Sequence, residues 1–217
     1  MKRLFIGLIV CLFLYLSVSA DHRAVIARKN AGGGAESCNN SLEENSSALP
    51  PDGDLDLRDD ANTYYVGYGS RDATQENDIC RIDWYLTDVG DAGTAEINVR
   101  CCICERDDGD NNDIEDNGDG LVMDDDCDCS DWVTGNDDWD VTAVTFDFDP
   151  AVTIPINTYR YFVLDTNSDV DSDHYFEVEY DTTDTMTLQE GINLWDSSGD
   201  NQLDSDNNFF TDIHASP

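Results

Sequence analysis

Positive charge is what this sequence has least of. Its 217 residues carry 11 Lys and Arg against 48 Asp and Glu, for a formal charge of −37. After residue 20, which follows Lys2 and Arg3, 9 basic residues face 48 acidic ones, a charge of −39, and Lys29 is the only lysine left. Such a surface repels phosphate backbones and anionic headgroups, which argues against nucleic-acid and lipid-surface roles. Histidine is scarcer still, with only His22, His174 and His214. No Gly-x-Ser-x-Gly elbow, His-Glu-x-x-His pair or phosphate-cradling glycine loop occurs, so the common nucleophile, zinc-protease and nucleotide chemistries lack sequence support. Paired carboxylates serve glycoside hydrolysis, but among 48 acids such pairs arise by chance.

Long apolar runs are missing too, with one exception. Leu4 to Leu16 holds no charge, follows Lys2 and Arg3, and leads into Val18, Ser19 and Ala20. That run is shorter than the ~20 residues a bilayer core requires. Its three-part layout is that of a cleaved secretory signal over residues 1–20, with Asp21 as the first mature residue. No later stretch is long enough to span. The expected product is secreted, extracellular or displayed at the cell surface, with no membrane span after signal cleavage.

Residues 21–58 lack aromatics and periodicity. They hold Gly32-Gly33-Gly34, an Asn/Ser/Glu-rich stretch and Pro50-Pro51. So little apolar surface cannot offset chain entropy, which predicts a disordered N-terminal tail. Within it, Asn39-Asn40-Ser41 and Asn45-Ser46-Ser47 match the N-glycosylation pattern.

From residue 59 to 217 the pattern is that of strands. Ile79–Leu86 alternates, with Cys80, Ile82, Trp84 and Leu86 on the inward face. Ala95–Ile103 places Ala95, Ile97, Val99, Cys101 and Ile103 inward against Glu96, Asn98, Arg100 and Cys102. Val144, Phe146 and Phe148 share one face, as do Phe176, Val178 and Tyr180. Tyr159–Leu164 is apolar on both faces, as a central strand should be. Shorter candidates lie at 63–68, 152–156, 186–188 and 192–195. No segment carries a sustained helical stripe. Period-2 runs between Asp/Asn/Gly clusters predict an all-β domain, an antiparallel two-sheet sandwich of jelly-roll or immunoglobulin-like type.

Three segments carry a family resemblance: Trp84-Tyr-Leu-Thr-Asp-Val-Gly90, Glu96-Ile-Asn-Val99 and Asn157-Thr-Tyr-Arg-Tyr-Phe-Val163. Over about 130 residues the rhythm resembles the secreted, carbohydrate-binding-like β-sandwich modules of bacterial surface and exported proteins. The resemblance implies recognition or surface display, often facing carbohydrate, and brings no catalytic residues with it.

The acids are unevenly chosen and unevenly placed. There are 38 Asp against 10 Glu, and residues 105–131 alone hold 13 acids with one Arg. Salt adaptation explains the acidity but gives no strong reason to prefer Asp. Turn formation and calcium ligation do. Asp113, Glu115, Asn117 and Asp119, with Gly118 at the sharp turn and Asp124 at the twelfth place, resemble an EF-hand loop without its helices. Asp108 and Asp110 begin a second register. Asp165, Asn167, Asp169, Asp171 and Asp173 present an oxygen at every other residue and resemble dockerin or thrombospondin-type calcium loops, with Val170 where those have Gly. A weaker cluster, Asp200, Asp204, Asp206, Asn208 and Asp212, reads equally well as turns. Calcium is the expected cofactor.

Eight cysteines less Cys11 leave seven: Cys38, Cys80, Cys101, Cys102, Cys104, Cys127 and Cys129. Export makes disulfides their default state. Cys101, Cys102 and Cys104 precede the acidic segment and Cys127 and Cys129 close it, so bridges between the groups would pin both its ends. A Cys38–Cys80 bridge would tie the tail to the domain, and the odd count leaves one thiol free or intermolecular. A zinc site of Cys101, Cys104, Cys127 and Cys129 is the rival arrangement. Aromatic residues in polar surroundings, Tyr65, Tyr68, Trp132 and Trp139, suit stacking against sugars. Capping of the sandwich edge is the other use for the two tryptophans.

Together these features predict a non-enzymatic, calcium-stabilised binding or surface-assembly module. Its expected partner is an extracellular glycan or surface protein, with self-association through the odd thiol. A small secreted polysaccharide hydrolase and a structural subunit of a filament or coat are the alternatives.

Overall fold

The alternating segments become strands, and their alternation decides which core each side chain enters. The computed structural model describes residues 38, 40–44, 51–57, 65–90, 97–107, 113–115, 121–136, 138–166, 174–182, 189–195, 199–205 and 207–217. All belong to one compact unit, Ser37–Pro217. The strands are β1 (Asn40–Glu44), β2 (Gly53–Leu57), β3 (Tyr65–Ser70), β4 (Asn77–Val89), β5 (Asn98–Glu105), β6 (Cys127–Cys129), β7 (Val133–Thr134), β8 (Thr142–Ile154), β9 (Arg160–Thr166), β10 (Tyr175–Asp181), β11 (Gln189–Trp195), β12 (Asn201–Ser205), β13 (Asn208–Phe209) and β14 (Thr211–Ala215). A single helical turn, α1 (Met123–Asp126), precedes β6.

Two antiparallel sheets pack face to face, as the all-β sandwich reading expects. The first runs β1-β14-β4-β10-β13, with β2 also on β10 and β8 on β4. Ile82 of β4 faces both Ile213 of β14 and Phe146 of β8, so β8 and β14 flank β4 on opposite sides. The second sheet runs β12-β11-β3-β9-β5-β6, with β7 also on β5. Between them lies the main core, which includes Ile82, Trp84 and Leu86 of β4, Val144 and Phe146 of β8, and Phe162 and Leu164 of β9. Trp84 anchors it, its ring centroid 5.3 Å from those of both Tyr68 and Phe209.

A second cluster sits on the far face of the second sheet. Tyr161 and Val163 of β9 enter it, together with Cys102, Cys104, Trp195 and the covering residues Ile114, Leu121 and Met123. This explains why β9 is apolar on both sides. Val99, Cys101 and Ile103 of β5 face the main core, while Cys102 and Cys104 face the second. The side of β5 expected to meet solvent is therefore covered.

Three expectations change. First, residues 40–44 and 53–57 belong to the sandwich and not to a disordered tail: β1 pairs with β14, and β2 with β10. Among the described side chains of these strands, Leu57 is buried and Leu42 and Leu55 are partly buried against the core, too few apolar residues to stand out from a polar stretch. Gly53 sits where β2 crosses Tyr180: a Cβ there would lie 2.5 Å from the phenol oxygen, so the tyrosine ring would have to shift to admit one. Second, the acid-rich end of the chain folds as strands. Phe209 and Phe210 are fully buried, and β14 runs between β1 and β4 with Ile213 and Ala215 inward. Asp212 and His214 mask that alternation. Third, Cys80 does not share the inward face of Ile82. His214 faces Arg81 and Ala215 faces Ile79, so Cys80 is the extra residue of a bulge. Ile79 takes the inward place.

Candidate functional site

Cross-strand pairing on the second sheet assembles the most distinctive polar group. Arg100 of β5 lies directly opposite Asp165 of β9. Both point to the outer face, as alternation from Cys102 and Val163 requires. Arg100 Nε donates to Asp165 Oδ2 at 2.7 Å, and Nη1 donates to Asp124 Oδ1 of α1. The guanidinium carbon lies 4.3 Å from the centre of the Trp132 ring. The Arg100 and Asp165 side chains are 9 % and 10 % exposed, whereas Asp124 is 73 % exposed. Trp132 itself remains 43 % exposed.

The electrostatics follow from this layering. Burial works against the Arg100 charge, but hydrogen bonds and attraction to Asp124 and Asp165 together outweigh it and raise its pKa. Burial raises the Asp165 carboxyl, and Arg100 offsets this only in part. The pair is thus a desolvated ion pair completed by hydrogen bonds, the condition under which such pairs persist.

Two disulfides hold the strand that follows α1. Cys102 and Cys129 face each other across β5 and β6, as do Cys104 and Cys127, and both pairs are bonded. The Met123 sulfur lies 3.5 Å from that of Cys127. The Ser130 hydroxyl accepts from the Cys101 N–H at 3.1 Å, and the Ser130 N–H donates to the Cys101 carbonyl at 2.9 Å. Trp132 thus leaves a short, doubly anchored strand. The third disulfide is Cys38–Cys80. Cys101 is the unbridged thiol, buried in the main core with its pKa pushed up to about 12 by that burial. The zinc alternative falls with this arrangement: Cys101 points away from Cys104, and the remaining members are consumed in disulfides.

The calcium residues expected from sequence divide into two sets. Asp108, Asp110, Asn117, Asp119, Asn167, Asp169, Asp171 and Asp173 lie outside the described residues. Asp113, Glu115, Asp124 and Asp165 lie within them. Asp124 and Asp165, expected in two separate calcium loops, are instead brought together by Arg100, which donates to both. Asp113 and Glu115 flank the buried Ile114 and are tied by their backbone, Asp107 N–H to Asp113 O and Glu115 N–H to Glu105 O, each at 3.0 Å.

Sequence reading misses a different acidic group. On the first sheet, Asp54 and Asp56 of β2 and Glu177 of β10 bring carboxylate oxygens within 4.8 Å of one another. Asp56 faces Glu177 and Asp54 faces Glu179 in register. Glu179 is 4 % exposed and accepts from the Thr87 hydroxyl at 2.9 Å. Burial, then Asp54 and Asp56, raise the Glu177 carboxyl. Burial also raises Glu179, with Thr87 opposing and Asp54, Glu177 and Asp140 adding to it. Oxygen-only donors of this kind suit a hard divalent cation. Nothing in the sequence marks them as a group, because β2 reads as tail and its pairing with β10 is not local.

The aromatic candidates also separate. Tyr68 is fully buried in the main core, so it is no surface platform. Its small polar neighbours, Gly67, Gly69 and Ser70, belong to the same inner strand. Tyr65 packs half-buried on the second cluster, and Trp139 packs on the main core with its ring 5.9 Å from Phe176. Only Trp132 of the four is exposed. Of the histidines, His174 is buried 3.3 Å from Asp88, and His214 lies half-buried 3.1 Å from Asp83. A Cβ on Gly90 would come within 2.3 Å of the His174 ring, so backbone closes that flank.

Comparison with known proteins yields no family: no family model matches the chain, and no curated protein matches it.

Proposed function

We propose that this chain is an exported, non-enzymatic recognition module that binds an extracellular glycan on Trp132 and is stabilised by calcium. One observation carries the recognition part. Trp132 is a large exposed aromatic ring, yet it is held against a guanidinium that is itself fastened to Asp124 and Asp165. Aromatic faces suit the apolar C–H faces of sugars, and a ring fixed in advance loses little freedom on binding. Export is supported by the signal-like N-terminus and by three disulfides, which belong to oxidising compartments. Calcium is supported by the convergence of Asp54, Asp56 and Glu177 oxygens, where burial and then the two aspartates raise the Glu177 carboxyl.

Two measurements test this. Trp132→Ala should abolish retention on a panel of immobilised polysaccharides while leaving the melting temperature in place. Failure of the native chain to bind any polysaccharide would sink the recognition role, and release of shortened sugars would sink the non-enzymatic one. Equal melting temperatures in calcium and in chelator would remove calcium from the proposal.

A further inference from the structure

Resting on that reading of Trp132, we infer that the ligand is a glycan bearing protonated amines, an amino-sugar polymer. An arginine beside an aromatic ring ordinarily suggests an acidic ligand, because guanidinium pairs well with carboxylate. Here the guanidinium is committed. Its Nε and Nη1 already donate to Asp165 and Asp124, it is nearly enclosed, and it covers one face of the indole. What the platform shows to solvent is negative. Asp124 keeps most of its carboxylate exposed, Asp125 of the same turn is exposed, and exposed Asp131 directly precedes Trp132.

Residues 124–132 together with Asp165 hold six acids (Asp124, Asp125, Asp126, Asp128, Asp131 and Asp165) around the single guanidinium of Arg100. A uronic-acid or sulfated chain would meet like charge at close range, and at long range the field of a chain whose charge after residue 20 is −39 (9 basic against 48 acidic residues). A neutral sugar would stack on the ring but leave the carboxylates with water. An amino sugar does both things the surface offers: its C–H face meets the indole, and its ammonium meets the carboxylates and the ring's negative face. The disulfides Cys102–Cys129 and Cys104–Cys127 fix the carbonyl framework from which Asp131 and Trp132 emerge.

Isothermal titration of the full, oxidised chain tests this at mildly acidic pH and physiological salt. The probes are glucosamine, N-acetylglucosamine and galacturonic acid oligomers of equal length, with oligolysine as a charge control. The glucosamine oligomer should bind about tenfold more tightly than its acetylated form, and the uronic oligomer should not bind. Trp132→Ala should weaken both binders roughly tenfold. Asp131→Asn should weaken the glucosamine oligomer severalfold and leave the acetylated one unchanged.

If the acetylated or uronic oligomer binds as well as the amine, in a Trp132-dependent way, the amine preference is wrong while the platform stands. If no oligomer binds, or Trp132→Ala changes nothing, the platform reading itself fails. Oligolysine matching glucosamine in affinity, with neither affected by Trp132→Ala, would reduce the effect to diffuse charge attraction and overturn the inference.

Discussion

Two acidic clusters, one on the outer face of each sheet, handle their excess of carboxylate in opposite ways. The second sheet brings Arg100 into the midst of Asp124 and Asp165 and covers the group with a disulfide-anchored strand and an indole ring. The first sheet gathers Asp54, Asp56, Glu177 and Glu179 on neighbouring strands, and the folded state raises both glutamates. One cluster holds its counter-cation as a residue. In the other, burial and neighbouring carboxylates raise Glu177 and Glu179, and calcium is the counter-ion proposed for it. A chain with so few basic residues can afford the first solution only locally.

The sharpest way to break this contrast is to remove the internal cation. Arg100→Leu leaves Asp165 buried without its partner, and should destabilise the domain by about 3–5 kcal/mol. Chemical denaturation reads this out, and the double variant Arg100→Leu with Asp165→Leu should recover much of the loss. Full recovery is not expected, because exposed Asp124 loses its partner in both.

Opening the cover comes next. Replacing Cys104 and Cys127 by Ser removes a bridge spanning 23 residues, which should cost about 2–4 kcal/mol in thermal or denaturant unfolding. The same change at Cys102 and Cys129 should have a similar effect. A negligible loss for both would mean that strand pairing and Met123 packing alone hold the cover in place.

The first face should respond to solution conditions instead. Its glutamates bind protons more tightly folded than unfolded. Their contribution is therefore complete below the ordinary glutamate range and declines as pH rises through the raised values. Asp165 acts in the same direction. Asp72 acts oppositely, since hydrogen bonds from Thr74, Asn77 and Gln75 outweigh its burial and lower its pKa. In chelator, Glu177→Gln with Glu179→Gln should therefore flatten the decline in melting temperature toward neutral pH. Calcium should do the same for the native chain, stabilising it by roughly 2.7 kcal/mol at a hundredfold excess over its dissociation constant. A native profile insensitive to both changes would show that this face needs no relief.

The smallest effect on stability belongs to the platform. Trp132→Ala should shift unfolding by no more than about 0.5 kcal/mol, as expected for an exposed side chain outside the core, while removing ligand binding. A large loss of stability there would mean that the indole over Arg100 serves the fold and not a binding platform.

Much of the sandwich is legible from residue order. Ile82, Trp84 and Leu86, Val144 and Phe146, and Phe176 and Val178 announce their inward faces by period-2 spacing, and all are buried. Tyr161 to Leu164 announces a strand buried on both sides. The Cys38–Cys80 bridge, expected as a tie between tail and domain, forms, although residue order does not dictate the pairing; the acidic segment is closed by bridges as its flanking cysteines suggest. Short edge strands such as β1 and β2 stay hidden because each buries one or two side chains, too few to rise above the polarity of their neighbours.

The sequence by itself settled the all-β character, the scarcity of positive charge and the residues able to form bridges, because these depend on local alternation and on counts. Tertiary structure alone decided which acids meet which cations. Arg100 reaches Asp165 from 65 residues away, and Asp54 meets Glu177 only because β2 lies beside β10. Spacing along the chain points to calcium at consecutive Asp positions. Coulomb energy depends on distance in space, and strand pairing sets that distance, so one acidic pair received an arginine while acids never grouped by sequence converged on the opposite sheet.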